Sequence, residues 1–147
     1  MIPLGKKMND LENQVNKNQV EYTLTDTVGW RRIARLQNAI SKFYINFEGY
    51  GLCCLSLNLA NAKGWSKIIE KGLYQYTNGI NRFSKIRLLT KGNADAYLDI
   101  YNNHNVSQNG KITITIDNNK GISLITEETI VNDDIPDGYS KTEIVLP

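Results

Sequence analysis

Histidine is nearly absent from this chain. His104 is the single one, and it lies in the Asn-rich stretch Asn102 to Gly110, which is too polar for a core and reads as a solvent-facing loop. A Ser/His/Asp or Cys/His nucleophilic centre needs a supported imidazole base, so chemistry of that kind is not expected. Cysteine is equally scarce. Cys53 and Cys54 are adjacent and point to opposite faces of a strand, a bond between neighbours is strained, and no CxxC spacing is present. They read as two small thiols with neither a disulfide nor a metal.

Other absences narrow the field further. No GxGxxG or GxxxxGK stretch exists to cradle a phosphate, and no cofactor is expected. Nowhere do roughly 18 apolar residues follow one another, and Met1 to Asp10 lacks the apolar run of a signal peptide. The expectation is no membrane span, and a protein kept in a cytosol-like compartment until release or assembly. Net charge is only +2, from 17 basic and 15 acidic residues spread along the chain, so a nucleic-acid partner is not expected.

Acidic pairs do occur, at Asp95 and Asp99, Glu127 and Glu128, and Asp133 and Asp134. Each reads as a solvated turn or strand face, because a glycosidase needs two carboxylates set about 5–10 Å apart across a cleft and spacing alone does not place these so. The run Asn132 to Gly138 is rich in oxygen ligands but lacks the spacing and the terminal Glu of an EF-hand. No metal is expected there.

What is present is a β pattern. The 147 residues, 41% hydrophobic and 22% charged, suit one soluble domain with a short appendage. Lys85 to Tyr101 reads as a hairpin, with Ile86 and Leu88 on one face of its first strand and Leu98 and Ile100 on one face of its second. Phe43, Ile45 and Phe47 line a second inward face, and Leu55, Leu57 and Leu59 a third, with Ser56 and Asn58 outward; these two strands are expected to pair. Ile112, Ile114 and Ile116 form the cleanest alternation in the chain. Gly29 to Leu36 is less regular, setting Trp30, Arg32, Ala34 and Leu36 against Arg31, Ile33 and Arg35, and Gln37 to Lys42 reads as a loop. Short, less regular segments flank Gly72. The total is roughly eight to ten strands at spacings of about 8–12 residues, which predicts an antiparallel β-sandwich or jelly-roll-like head.

The N-terminus has another period. Leu4, Met8, Leu11, Val15, Asn18 and Tyr22 alternate at spacings of four and three, the d and a positions of a heptad. Fewer than about three heptads are not stable alone in water, so this coiled-coil helix needs partner chains or the following domain to hold it. An amphipathic helix packed on its own domain is the rival reading. The boundary is placed near residue 25, giving 1–25 as attachment peptide and stem and 26–147 as head. Tyr74, Tyr76, Tyr97 and Tyr101 alternate with aliphatic residues, so a sheet face showing several rings is expected, for subunit contact or for a glycan.

Three stretches, GWRRIARL at Gly29 to Leu36, SKIRLLT at Ser84 to Thr90 and AYLDIYNN at Ala96 to Asn103, occur in an order that resembles the C-terminal β-sandwich tip domains of bacteriophage fibre proteins, especially those of gut-bacterial phages. The resemblance covers Gly29 to Pro147. It departs at Arg31, where an aromatic is usual, and at Asn102, where a second tyrosine is common. What it implies is a homotrimeric, non-enzymatic virion protein, a head fibre or short tail fibre, anchored to another virion protein by its N-terminus and contacting a host-surface glycan. The alternatives are a stand-alone carbohydrate-binding module and, further off, a polysaccharide-degrading enzyme.

Overall fold

A computed structural model describes residues 14–15, 17–49, 51–62, 65–76, 82–92, 95–103 and 109–146. Among the described residues there are twelve strands: β1 (Gln14–Val15), β2 (Gln19–Leu24), β3 (Gly29–Leu36), β4 (Ala39–Gly49), β5 (Gly51–Ala62), β6 (Trp65–Tyr76), β7 (Phe83–Lys91), β8 (Asp95–Asn102), β9 (Gly110–Ile116), β10 (Ile122–Ile125), β11 (Ile130–Val131) and β12 (Ser140–Val145). They form a seven-stranded sheet in the order β1-β10-β3-β8-β7-β12, with β11 also on β3, and a five-stranded sheet in the order β2-β9-β4-β5-β6. Every strand pair is antiparallel. The mainly-β, two-sheet architecture read from the alternation is therefore the one observed.

The core lies between the two sheets. Phe43, Ile45 and Phe47 of β4, Leu55, Leu57 and Leu59 of β5 and the three isoleucines of β9 face Ile86, Leu88, Leu98 and Ile100 of the expected hairpin. Each such side chain contributes about 1.5–3 kcal/mol by leaving water. Phe47 and Phe83 meet edge to face across the sheets, with ring centroids 5.4 Å apart. Cys53 joins this interior, where burial pushes its thiol up to about 12, while Cys54 points outward and is exposed.

Three expectations need correction. The irregular alternation of Gly29 to Leu36 comes from a β-bulge between Arg32 and Ala34: Ile33 is the extra residue, so Trp30, Arg32 and Arg35 share the outer face while Ile33, Ala34 and Leu36 enter the core. Gln37 to Lys42 is only briefly a turn, since β4 begins at Ala39 and Ser41 already pairs with Leu59. The segments around Gly72 form one continuous strand, β6, with its own register shift opposite Ser56 and Leu57.

Of the six stem residues, Leu4, Met8 and Leu11 lie outside the described residues. The other three are not helical: Val15 is in β1, Asn18 is in the bend after it, and Tyr22 is in β2. Pairing with β9 explains why strand period prevails here. It buries Val20 and Leu24 and leaves Gln19, Glu21 and Thr23 outside, and Tyr22 packs against the core of its own sandwich. The two sheets therefore take in residues N-terminal to the expected boundary.

Candidate functional site

The two sheets present unlike outer faces. On the seven-stranded sheet, the bulge in β3 lines up three cross-strand rows: Trp30, Tyr101 and Lys85; Arg32, Asp99 and Arg87; Arg35, Tyr97 and Leu89. The segment 126–139 includes β11 at the edge of β3 and, beyond Val131, crosses these rows, leaving a depression of about 260 Å³ beside Arg32, Arg87 and Asn132. Asp133 accepts the Trp30 indole N–H at 2.7 Å, and the carbonyls of Asn132 and Asp133 accept Arg87 Nη2 and Nη1 at 2.9 and 3.2 Å. Tyr139 donates its hydroxyl to Asp95 at 2.6 Å, and Arg35 Nε reaches the other oxygen of the same carboxylate at 2.8 Å. Trp30 and Leu89 are buried as a result, although both stand outside the inter-sheet core.

Of the acidic pairs, Asp133 and Asp134 are solvent-exposed as spacing suggests, and so is Glu127, but Asp95, Asp99 and Glu128 are not. Asp99 is fully buried and bridges two guanidinium groups, taking Arg32 Nε at 3.0 Å on Oδ1 and Arg87 Nε at 2.9 Å on Oδ2. Glu128 receives Arg31 Nε at 2.9 Å and both the amide and the hydroxyl of Thr25. Burial works to raise the Glu128 carboxyl, but those hydrogen bonds outweigh it and hold the group below its ordinary range. Asp95 is likewise lowered overall, the Tyr139 and Arg35 hydrogen bonds overcoming the effect of burial. These carboxylates fasten elements together. Among the described residues, no group of three or more His, Cys, Asp or Glu side chains is placed to hold a metal ion.

The four tyrosines do not share a face. Tyr97 and Tyr101 are on β8 in the strapped sheet, where Arg32 lies 4.1 Å over the Tyr97 ring and Trp30 meets Tyr101 edge to face at 5.1 Å. Tyr74 and Tyr76 are on β6 in the other sheet, in register with Cys54 and Leu52. Local alternation shows which residues of a strand go together but not which sheet the strand joins. His104 lies outside the described residues.

The five-stranded sheet leaves its outer face open. Its central rows are Gln19, Thr115, Tyr44, Ser56 and Gly72, then Glu21, Thr113, Asn46, Cys54 and Tyr74, then Lys42, Asn58 and the exposed Ile69. Three depressions of about 360 Å³ each lie along β4 and β5: beside Glu21, Asn46 and Lys111, beside Tyr44, Ser56 and Gly72, and beside Lys42, Asn58 and Ile69. The first two share Asn46 and Cys54. The charges on this face oppose one another, with Glu21 3.3 Å from Lys111, and Lys42 lies 4.9 Å over the Tyr44 ring. Sequence reading did not single out Tyr44, Asn46 or Gly72. The signal was available in the outward positions of β4 and β5, where small polar residues and one ring alternate with the core set.

No family model matches the chain, and no curated protein matches it. Among solved structures, the chain is similar to WceF of Pantoea stewartii, described as a glycan biofilm modifying enzyme with a bacteriophage tailspike-like parallel β-helix fold, at TM-score 0.50 and 8% identity. The match covers 86% of this chain and 22% of that one, so the present chain spans less than a quarter of its length. At this identity the likeness concerns fold alone. Among the described residues every ladder of the present chain is antiparallel.

Proposed function

We propose that this chain is a non-enzymatic adhesive protein of a bacteriophage virion, a head fibre or short tail fibre in which three copies associate and present their β-sandwich heads to the bacterial surface. The observation that carries the reading is the contrast between the two outer faces. One is crossed by a strap that arginine–carboxylate pairs hold in place; the other is open, with three larger depressions lined by polar residues and by exposed Ile40, Leu52 and Ile69. A rigid sandwich with one open face suits recognition of a surface polymer better than turnover, since the buried carboxylates here are committed to arginines. The order of the three fibre-tip stretches supports the virion setting.

In this reading the stem is confined to the residues before Gln14, where Leu4, Met8 and Leu11 keep heptad spacing, and the extreme N-terminus attaches to another virion protein. The test is the solution mass of the full chain by light scattering after gel filtration. A mass three times the chain's 16.6 kDa is expected, falling on Leu11→Asp substitution. A monomer at all concentrations removes the fibre and leaves a stand-alone carbohydrate-binding module.

A further inference from the structure

We propose that the outer face of the five-stranded sheet binds an extended, uncharged oligosaccharide, with the Tyr44 ring as stacking platform, Asn46 and Asn58 as hydrogen-bonding groups, and Gly72 as the opening that admits a sugar ring. The inference deepens the adhesive reading above and rests on it. It moves the centre of the contact from Tyr74, Tyr76, Tyr97 and Tyr101 to Tyr44.

Gly72 provides the first argument. Glycine in a strand interior costs about 0.5–1 kcal/mol relative to alanine, and it is retained where the backbone needs a positive φ, where a Cβ would collide, or where something approaches closely. Gly72 is not among the glycines with positive φ, and a Cβ built on it meets nothing within 4 Å. It lies at the register shift of β6, beside the extra residue Lys71, and neither a positive φ nor a Cβ collision accompanies it there. What the missing side chain does is leave free ground on the row that holds Tyr44 and Ser56, since Ser56 pairs with Tyr44 on one side and with Gly72 on the other.

The second argument is the chemistry around that gap. Tyr44 is half-buried, and the Lys42 ammonium lies 4.9 Å over its ring, so a sugar stacking on that side displaces a flexible side chain. Asn46 lies one row away on the same strand and Asn58 one row away on β5, in the direction of the other end. A side-chain amide offers donor and acceptor together, which matches adjacent sugar hydroxyls, and an aromatic ring takes the apolar face of a pyranose. Lys111 lies 3.3 Å from Glu21 and is in register with Glu48, and Lys42 lines another depression, so the described lining residues carry two groups of each sign and no surplus to draw a uronate or a sialate. The depressions follow β4 and β5 lengthwise, which suits a chain of sugars rather than a single one.

The test uses the full-length protein on an array of neutral glucose, galactose, mannose and N-acetylglucosamine oligosaccharides beside uronate- and sialate-containing ones. The expected result is retention of a neutral oligosaccharide, weakened about tenfold or more by Tyr44→Ala and by Gly72→Leu, the scale of one lost aromatic contact. Gly72→Leu enters open space, so its unchanged thermal midpoint separates loss of binding from loss of fold. Bound oligosaccharide is also expected to slow alkylation of Cys54, which lines the same groove. Retention of acidic glycans only, retention of none, or equal binding by both variants overturns the proposal. So does self-association that Tyr44→Ala abolishes, which would assign the face to a second copy. These outcomes are independent of the mass measurement: a monomer that still binds through Tyr44 refutes the fibre and not the groove.

Discussion

Arg31 and Asn102 share one acceptor. The carbonyl oxygen of Thr27 receives Arg31 Nη2 at 2.6 Å and Asn102 Nδ2 at 2.7 Å. Both side chains are fully buried, on the paired strands β3 and β8. They are also the two positions at which the chain departs from the fibre-tip pattern, so the departures form a single device that ties the 25–29 turn to one end of the sandwich. Arg82 adds to it, donating Nε to Asn102 Oδ1 at 2.6 Å and Nη2 to the Thr25 carbonyl at 3.0 Å.

Loss of either group is costly for different reasons. Arg31→Met leaves Glu128 without its cation and is expected to destabilise by about 3–5 kcal/mol. Asn102→Leu leaves a neutral acceptor and a guanidinium short of partners and is expected to cost about 1–3 kcal/mol. In urea titrations the double variant should cost less than the sum, with a coupling of about 0.5–3 kcal/mol. Strict additivity would show that the shared carbonyl does not couple them.

Asp99 holds two arginines, only one of which has another way out. Arg87 is 1% exposed, whereas Arg32 keeps 18% of its side-chain surface. Asp99→Leu should therefore cost about 3–5 kcal/mol, chiefly through the stranded Arg87, and adding Arg87→Met should recover most of the loss. If the second substitution recovers nothing, Arg87 is held by the Asn132 and Asp133 carbonyls alone.

Acid should loosen the same end. The Glu128 carboxyl is lowered from its ordinary 4.5 in the folded protein, so its contribution is complete above that value and disappears as pH falls through the lower, folded one. Asp95 is lowered too and acts in the same direction. The thermal midpoint is expected to drop as pH passes below about 4.5, and Glu128→Gln should flatten that dependence while lowering the plateau near neutral pH. An identical slope in the variant would place the acid sensitivity elsewhere.

Two glycines should answer alanine oppositely. A Cβ on Gly110 would run into the Phe47 ring and come within 2.8 Å of the Glu48 carbonyl oxygen, so Gly110→Ala is expected to cost about 1–3 kcal/mol. Gly72→Ala meets nothing and should be neutral or stabilising by about 0.5–1 kcal/mol. Denaturation midpoints of the two variants measure the contrast directly.

The hairpin β7–β8 and the pair β4–β5 were legible because each alternates apolar and polar residues over enough positions to fix an inward face. Ile86 opposite Ile100 and Phe43 opposite Leu57 follow from that alone. What stayed hidden depends on partners distant in sequence. Nothing near Arg31, Arg87 or Asp99 announces burial, since the groups that neutralise them come from other strands and from the 126–139 strap. The Ile33 bulge disguised which residues of β3 face outward. At Val15 and Tyr22 heptad spacing was a coincidence of strand residues, and the groove around Tyr44 took shape only when β2, β9, β4, β5 and β6 were set side by side.

The pairing of β2 with β9, and of the 25–31 region with the strap, opposes the order of synthesis. Thr25 waits for Glu128, and Trp30 for Asp133, each 103 residues later. β2 thus has no partner strand until β9 has been made, and a topology dominated by such distant contacts folds slowly. Through that interval β2 presents an unpaired edge, and in a polysome the nearest β9 can belong to a neighbouring nascent chain. The same ladder that completes one sandwich is therefore also a route by which two chains can exchange strands during biogenesis.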